Sequence, residues 1–154
     1  MAVGVNTVRR MTRIDPEVRA FLSEGTRTGR LGFVAANGRA LVAPVWFLVE
    51  GPDEAPELVF NTGKNTAKGR AVARDPRLTL CVDLPEPPYA YVQVQGEAAV
   101  SEDPDELLRT ATAIAARYVG EERAADFGKR NAGPGELVVR LRPTKVIAEF
   151  DIIG

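Results

Sequence analysis

The stretch "LVFNTGKNTAKGRAVARDPRLTLCVD", residues 58–83, reads as a strand, a basic turn, a short helix and a second strand. Its opening is apolar and β-branched, as strands are. Thr66 to Arg74 is rich in alanine and basic residues. It predicts a helix of about two turns that stops at Asp75-Pro76, because the residue before proline disfavours helix. "RLTLCVD" then resumes as a strand. Lys64, Lys68, Arg70 and Arg74 lie within Asn61–Pro76, and Arg77 follows directly. A strand running through a polar turn into a helix points free N–H groups and a positive dipole end at one spot, which suits a phosphate. Thr62, Asn65 and Thr66 add short donors there. Lys64 and Lys68 stand at the i,i+4 spacing of one helix face, and Arg70 can grip two phosphate oxygens at once. The geometry suits one phosphorylated small ligand. A second reading is a solvated basic face paired with the acidic turn at Asp53, Glu54 and Glu57. Neither G-x-x-x-x-G-K nor G-x-G-x-x-G occurs.

The segments on either side extend the pattern. "DPEVRAFLSEG" predicts a helix with Asp15 as N-cap, Pro16 at the first position and Gly25 past its end. "GRLGFVAANGRALVAPVWFLVEG" predicts two strands about an Asn37-Gly38 hairpin turn, with Pro44 marking an edge or a bulge. "YAYVQVQGEAAV" alternates at the period of a half-buried strand, after the stiff connector "LPEPP". "SEDPDELLRTATAIAARYVG" predicts the clearest helix, capped by Asp103, with Pro104 first and Glu106 at capping-box spacing. Its apolar stripe is Leu107, Leu108, Ala111, Ile114, Ala115 and Tyr118. "EERAADFGKRN" predicts a second helix, and "GELVVRLRPTKVIAEFDI" two final strands with a corner at Arg142-Pro143. One α+β domain over residues 1–154, with its core over about 15–150 and built on an antiparallel sheet or barrel, follows from this order.

Composition sets limits. A chain of 154 residues folds without a metal or disulfide. A net charge of −1 argues against general nucleic-acid binding. The chain has no histidine and one cysteine, Cys81, which removes Ser-His-Asp and Cys-His catalysis, the common zinc sites and the usual axial heme ligand. "MAVGVNTVRRMTRID" holds no apolar core of signal-peptide length, and no apolar run approaches the ~20 residues of a membrane span. The expected setting is cytoplasmic.

Thr62, Ala67-Lys68, Arg70, Arg74-Asp75-Pro76-Arg77, Pro88-Tyr89 and Gly96 fall in one order and spacing. With "APVWFLV" ahead of them and "RYVGEERAADFGKRN" and "ELVVRLRPTKV" behind, the chain resembles the pyridoxamine 5′-phosphate oxidase-like split-barrel superfamily over roughly residues 15–150. Within it the likeness is to the branch that uses the deazaflavin coenzyme F420. The resemblance implies a six-stranded antiparallel split β-barrel with peripheral helices, paired as a homodimer with the cofactor in a groove between subunits. It implies that Lys68 and Arg70 hold the cofactor phosphate, with Asn61, Thr62, Lys64, Thr66 and Ala67 close by. Ala43, Pro44, Val45 and Trp46 would line the ring, and Tyr89 and Tyr91 would approach from the other subunit. Two departures stand out. Ala71-Val72 replaces an Asn-Leu common in relatives, and a chain without histidine lacks the substrate-binding tail of true pyridoxamine phosphate oxidases. Oxidation of vitamin B6 phosphates is therefore not expected.

The implied activity is hydride transfer between F420 and a small organic substrate. The alternatives are an FMN-dependent oxidase or reductase on the same fold, and a binding protein without turnover that stores the cofactor or a tetrapyrrole. No catalytic side chain is assigned, since in such enzymes the cofactor ring carries the chemistry. Trp46, the single tryptophan, reads as core or as pocket wall. Tyr89 and Tyr91 read as ring contacts or as dimer filler. Tyr118 and Cys81 read as buried packing residues, and Arg140 and Arg142 as the solvated face of a strand.

Overall fold

The structure is a computed structural model that describes residues 8–154. The N-terminal residues read above as lacking a leader-type apolar run lie partly outside that span. The elements run β1 (Arg9–Met11), α1 (Pro16–Ser23), β2 (Gly29–Val34), β3 (Ala40–Val45), β4 (Leu48–Glu50) and β5 (Glu57–Gly63). Then come α2 (Ala67–Arg74), β6 (Arg77–Leu84), β7 (Ala90–Ser101), α3 (Pro104–Val119), α4 (Glu121–Asn131) and β8 (Glu136–Phe150).

All strand pairs are antiparallel, in the order β3-β2-β6-β7-β8-β5-β4, with β1 also on β8. The two ends of that path, β3 and β4, are joined in the chain by Trp46 and Phe47 alone. Three Cα steps span at most about 11 Å. The sheet must therefore curl until its edges nearly meet, and no hydrogen bonds close the gap between β3 and β4. The result is a barrel split along one seam, with β1 and β4 as three-residue additions to six longer strands.

Alternating residues fill the barrel: Leu31 and Phe33 of β2, Leu58 and Phe60 of β5, Leu80 and Val82 of β6, Val92 and Val94 of β7, and Val139 and Leu141 of β8. Ile14, with Val18 and Leu22 of α1, joins the same core. A second cluster lies on the outer side of β5 and β8, where Val59 and Val138 meet Leu107 of α3. So β5 presents Leu58 and Phe60 inward and Val59 toward the helices, and Asn61 shares the face of Val59.

The local signals produce the elements they announce. The Asp15 side chain accepts from Val18 N–H at 2.8 Å. Thr66 accepts from Gly69 N–H at 3.1 Å and caps α2. Gly38 takes φ 84 in the hairpin turn, and Pro44 lies on β3 at the sheet's edge.

Several expectations need correction. The strand through "ALVAPVWFLVE" breaks at Trp46-Phe47 into β3 and β4, and β1 was not read at all. The last two strands are one 15-residue strand, β8. Arg142-Pro143 is not a corner but a bulge, where Gly96 pairs with Pro143, Gln95 pairs with Lys145 and Thr144 is the extra residue. The capping box is half-formed: Asp103 accepts from Glu106 N–H, yet Asp103 N–H donates to Ser101 Oγ. The Glu106 carboxylate turns to Arg140 instead, at 2.9 Å. Arg140 also reaches Glu50 at 3.0 Å, so it is an ion-paired link between β8, β4 and α3 and not a solvated residue. Leu108 is 43% exposed, outside the buried stripe. Cys81 is half-buried, because β6 turns Leu80 and Val82 inward and Cys81 outward.

Candidate functional site

The turn between β5 and α2 is held by its own backbone and hydroxyls. Lys64 N–H donates to Gly135 carbonyl at 2.8 Å, and Thr66 N–H donates to Gly63 carbonyl at 3.1 Å. Thr66 Oγ1 donates to Gly63 carbonyl at 2.7 Å and stands 3.2 Å from Thr62 Oγ1. Gly69 packs directly on this turn; a Cβ there would lie 2.8 Å from Lys64 Cα and closer still to Gly63 carbonyl oxygen. Gly69 N–H is capped, and Arg70 N–H bonds Thr66 carbonyl. The first two N–H groups of α2, on Ala67 and Lys68, have no partner among the described residues.

A cavity of about 500 Å³ opens where β3 and β5 part at the seam. Pro44, Val45 and Trp46 form one wall, and Asn61, Thr62 and Gly63 form the other. Thr66 and Lys68 also line it, and Ala111 and Ile114 of α3 supply apolar surface. Thr28, Arg130, Asn131 and Glu136 complete it. Among the described residues the Lys68 side chain makes no hydrogen bond or ion pair, and the Arg130 guanidinium only lies over the Phe127 ring at 5.2 Å. The amide nitrogen and oxygen of Asn61 are both buried without any partner. Such atoms cost about 1–3 kcal/mol each when left unsatisfied. Free cations, free helix N–H groups, hydroxyls and an orphaned amide make an arrangement that can take an anion and a polar ring or acyl edge.

Asn61, Thr62, Thr66, Lys68, Pro44, Val45 and Trp46 meet at this cavity. Other candidates lie elsewhere. Lys64 Nζ is 3.2 Å from Glu102. Ala67 and Arg70 share another face of α2 with Arg74, against the hairpin tip at Ala35–Asn37, and Arg70 donates to Asn65 carbonyl. Ala43 packs on the barrel core. Tyr89 and Tyr91 sit at the start of β7, whose far end, Ser101, pairs with Val138 beside the cavity. Ten residues of strand separate Tyr91 from that end by on the order of 30 Å, so neither tyrosine reaches the cavity of its own chain. The acidic turn does not pair with α2: Asp53 faces Arg19 at 3.4 Å, and Glu54 carbonyl accepts from Arg13.

Trp46 is held from behind. Its ring stacks on Tyr118 at 5.0 Å with 4° between planes. Tyr118 hydroxyl donates to Arg27 carbonyl at 2.8 Å and accepts from Phe47 N–H at 3.3 Å. Arg117 donates to the carbonyls of Leu22, Gly25 and Phe47 at 2.8, 3.0 and 2.7 Å. Thus α3 grips the β3–β4 link that carries Trp46. Burial pushes the Tyr118 hydroxyl pKa up and the Arg117 pKa down. Tyr118 is half-buried and bonded, and does more than fill the core.

Arg130, Asn131, Thr28 and Glu136 were missed because they reach the cavity through tertiary packing. One local signal existed. Gly128 sits inside α4, where glycine is costly without a packing reason. A Cβ there would lie 2.9 Å from Thr112 Cα, so α4 presses on α3 and brings Arg130 and Asn131 to the cavity.

A family model described as pyridoxamine 5′-phosphate oxidase matches residues 14–149. Among curated proteins, none matches the chain. A conserved hypothetical protein from Mycobacterium tuberculosis has a similar structure, with a TM-score of 0.72 at 20% identity over 86% of this chain and 82% of that one. An F420 reductase superposes with a TM-score of 0.63 at 22% identity, covering 82% and 94%. The heme storage protein HutZ from Vibrio cholerae does so with a TM-score of 0.64 at 16% identity, covering 89% and 95%. At these identities the structural likenesses speak for the fold alone.

Proposed function

Because the chain belongs to the pyridoxamine 5′-phosphate oxidase family, we propose that it is a cofactor-dependent oxidoreductase that moves hydride between coenzyme F420 and a small organic substrate. The observation that carries this reading is the unpartnered side chain of Lys68 with the Thr62 and Thr66 hydroxyls, all lining the seam cavity at the start of α2, whose first N–H groups are free. The residues present fit a phosphorylated flavin-type cofactor. Lys68 and the α2 N-terminus hold its phosphate, and Pro44, Val45 and Trp46 wall its ring. When bound, the cofactor supplies the hydride chemistry. The chain supplies position, positive charge and, through Ala111 and Ile114, a surface that keeps water out. The order of motifs from Thr62 to Gly96 supports the deazaflavin.

FMN on the same phosphate site is the second reading. Heme storage, as in the similar HutZ, is disfavoured by a chain that holds no histidine. The active form in this proposal is a homodimer. Val42, 71% exposed, and Val34 line a groove of about 600 Å³ that Asp75, Arg77 and Glu97 also line, a surface with exposed apolar side chains beside charged ones that a second copy could cover. Tyr89 and Tyr91 would complete the site from that copy.

Calorimetric titration with F420 and, separately, with FMN tests the assignment. Micromolar or tighter F420 binding with weak FMN binding is the expected result. The reverse preference moves the protein to FMN, and binding of neither removes the cofactor reading.

A further inference from the structure

The seam cavity is lined by polar groups beyond those proposed to hold the phosphate. Thr62 and Asn61 are consecutive on β5 and face opposite sides of it. Thr62 contacts Thr66 on the α2 side, while Asn61 shares the helix-facing side with Val59, under α3 and α4. There its amide nitrogen and oxygen are buried and unpartnered. Arg130 and Asn131, at the end of α4, line the same cavity. Neither side chain has a hydrogen bond or ion pair among the described residues. An amide presents one acceptor and one donor side by side. Its complement is a group with an N–H next to a carbonyl, such as a lactam, imide or carboxamide edge. A free guanidinium beside it complements a carboxylate.

Resting on the oxidoreductase reading for its chemistry, we infer that Asn61, Arg130 and Asn131 form the substrate wall of the cavity, and that the substrate is an anionic compound with an N–H adjacent to a carbonyl. Asn61 reads the edge and Arg130 takes the negative charge. Asn131 supplies a second amide.

Orotate serves as probe, because it joins an imide edge to a carboxylate. Uracil keeps the edge without the charge, and benzoate keeps the charge without the edge. Each is titrated by calorimetry into the full chain, alone and loaded with F420. Orotate is expected to bind at least about tenfold more tightly than either analogue, since a site built for hydrogen bonds rejects ligands that leave it unpaired. Arg130→Ala should weaken orotate about tenfold and leave uracil unchanged. Asn61→Leu should weaken orotate and uracil by about tenfold or more. It should not lower the melting temperature, because it removes two unsatisfied polar atoms. A merely structural asparagine would lose stability on that change.

Orotate binding that ignores both substitutions, or no orotate binding, overturns the inference. So does displacement of orotate by F420, which would assign the Asn61 edge to the cofactor ring. Orotate binding with these dependences in a protein that does not bind F420 keeps the wall and removes the cofactor reading, so the two failures are distinguishable.

Discussion

Lys68 and Arg117 are both cations near the cavity, and their surroundings predict opposite behaviour. Lys68 has no partner to lose. Lys68→Ala should leave the denaturation midpoint unchanged while weakening cofactor binding by about 1.5–3 kcal/mol, the range of one charge-assisted bond. Unchanged affinity in calorimetry would falsify its role at the phosphate. Arg117 holds three carbonyls from three segments. Arg117→Ala leaves those acceptors unpaired and should cost about 2–3 kcal/mol in urea denaturation. Its neighbour Tyr118 has a pKa raised by burial. The folded state therefore holds that proton more tightly than the unfolded chain. The stability it contributes is complete below the ordinary tyrosine range near 10 and is lost as pH rises through the higher folded value. Tyr118→Phe should flatten that alkaline loss in a pH series of thermal melts. Lys68 was legible in the sequence because it stands in a turn with its own signature. Tyr118 was legible only as an apolar helix position, since its partners Arg27, Phe47 and Trp46 are far away in the chain.

Helices and turns were legible at their ends, where side chains satisfy backbone groups within a few residues. Asp15 and Asp103 each cap the helix they announced, and Thr66, read only as a short donor at the start of its helix, is the cap of α2. Strands were less so. β8 pairs with β5 along its first half, β1 near its end and β7 throughout. No local pattern announces a strand that serves three neighbours, and Arg142-Pro143 looked like its end. The bulge opposite Gly96 lets the ladder pass a residue that has no N–H to donate. A Cβ on Gly96 would stand 2.8 Å from Arg142 carbonyl carbon, against backbone that has nowhere to move. Gly96→Ala should lower stability by about 1–3 kcal/mol, the usual cost of overpacking, measured by thermal melting. A variant as stable as the parent would mean that the bulge yields.

The whole molecule turns on one covalent fact: the two edges of the sheet are joined by Trp46-Phe47. The seam that results, with helices on one side and α2 at its end, makes the cavity. Sheet order and seam follow from long-range pairing that periodicity does not encode, and the family likeness supplied what the residues alone did not. The likeness also supplied the expectation that chains pair. If the proposed dimer forms through the outer face of β2 and β3, Val42→Arg should bury a charge at its centre. Sedimentation should then show the parent as a dimer at micromolar concentration and the variant as a monomer of unchanged melting temperature. A parent that sediments as a monomer removes the dimer. Trp46 carries a further consequence. It is the single tryptophan, it stands at the cavity wall, and it lies flat on Tyr118. The near-ultraviolet emission of this protein therefore originates at the seam, so the molecule carries its own optical gauge. An occupant of the cleft changes that emission without any label, and a ligand held on a remote face leaves it as it was.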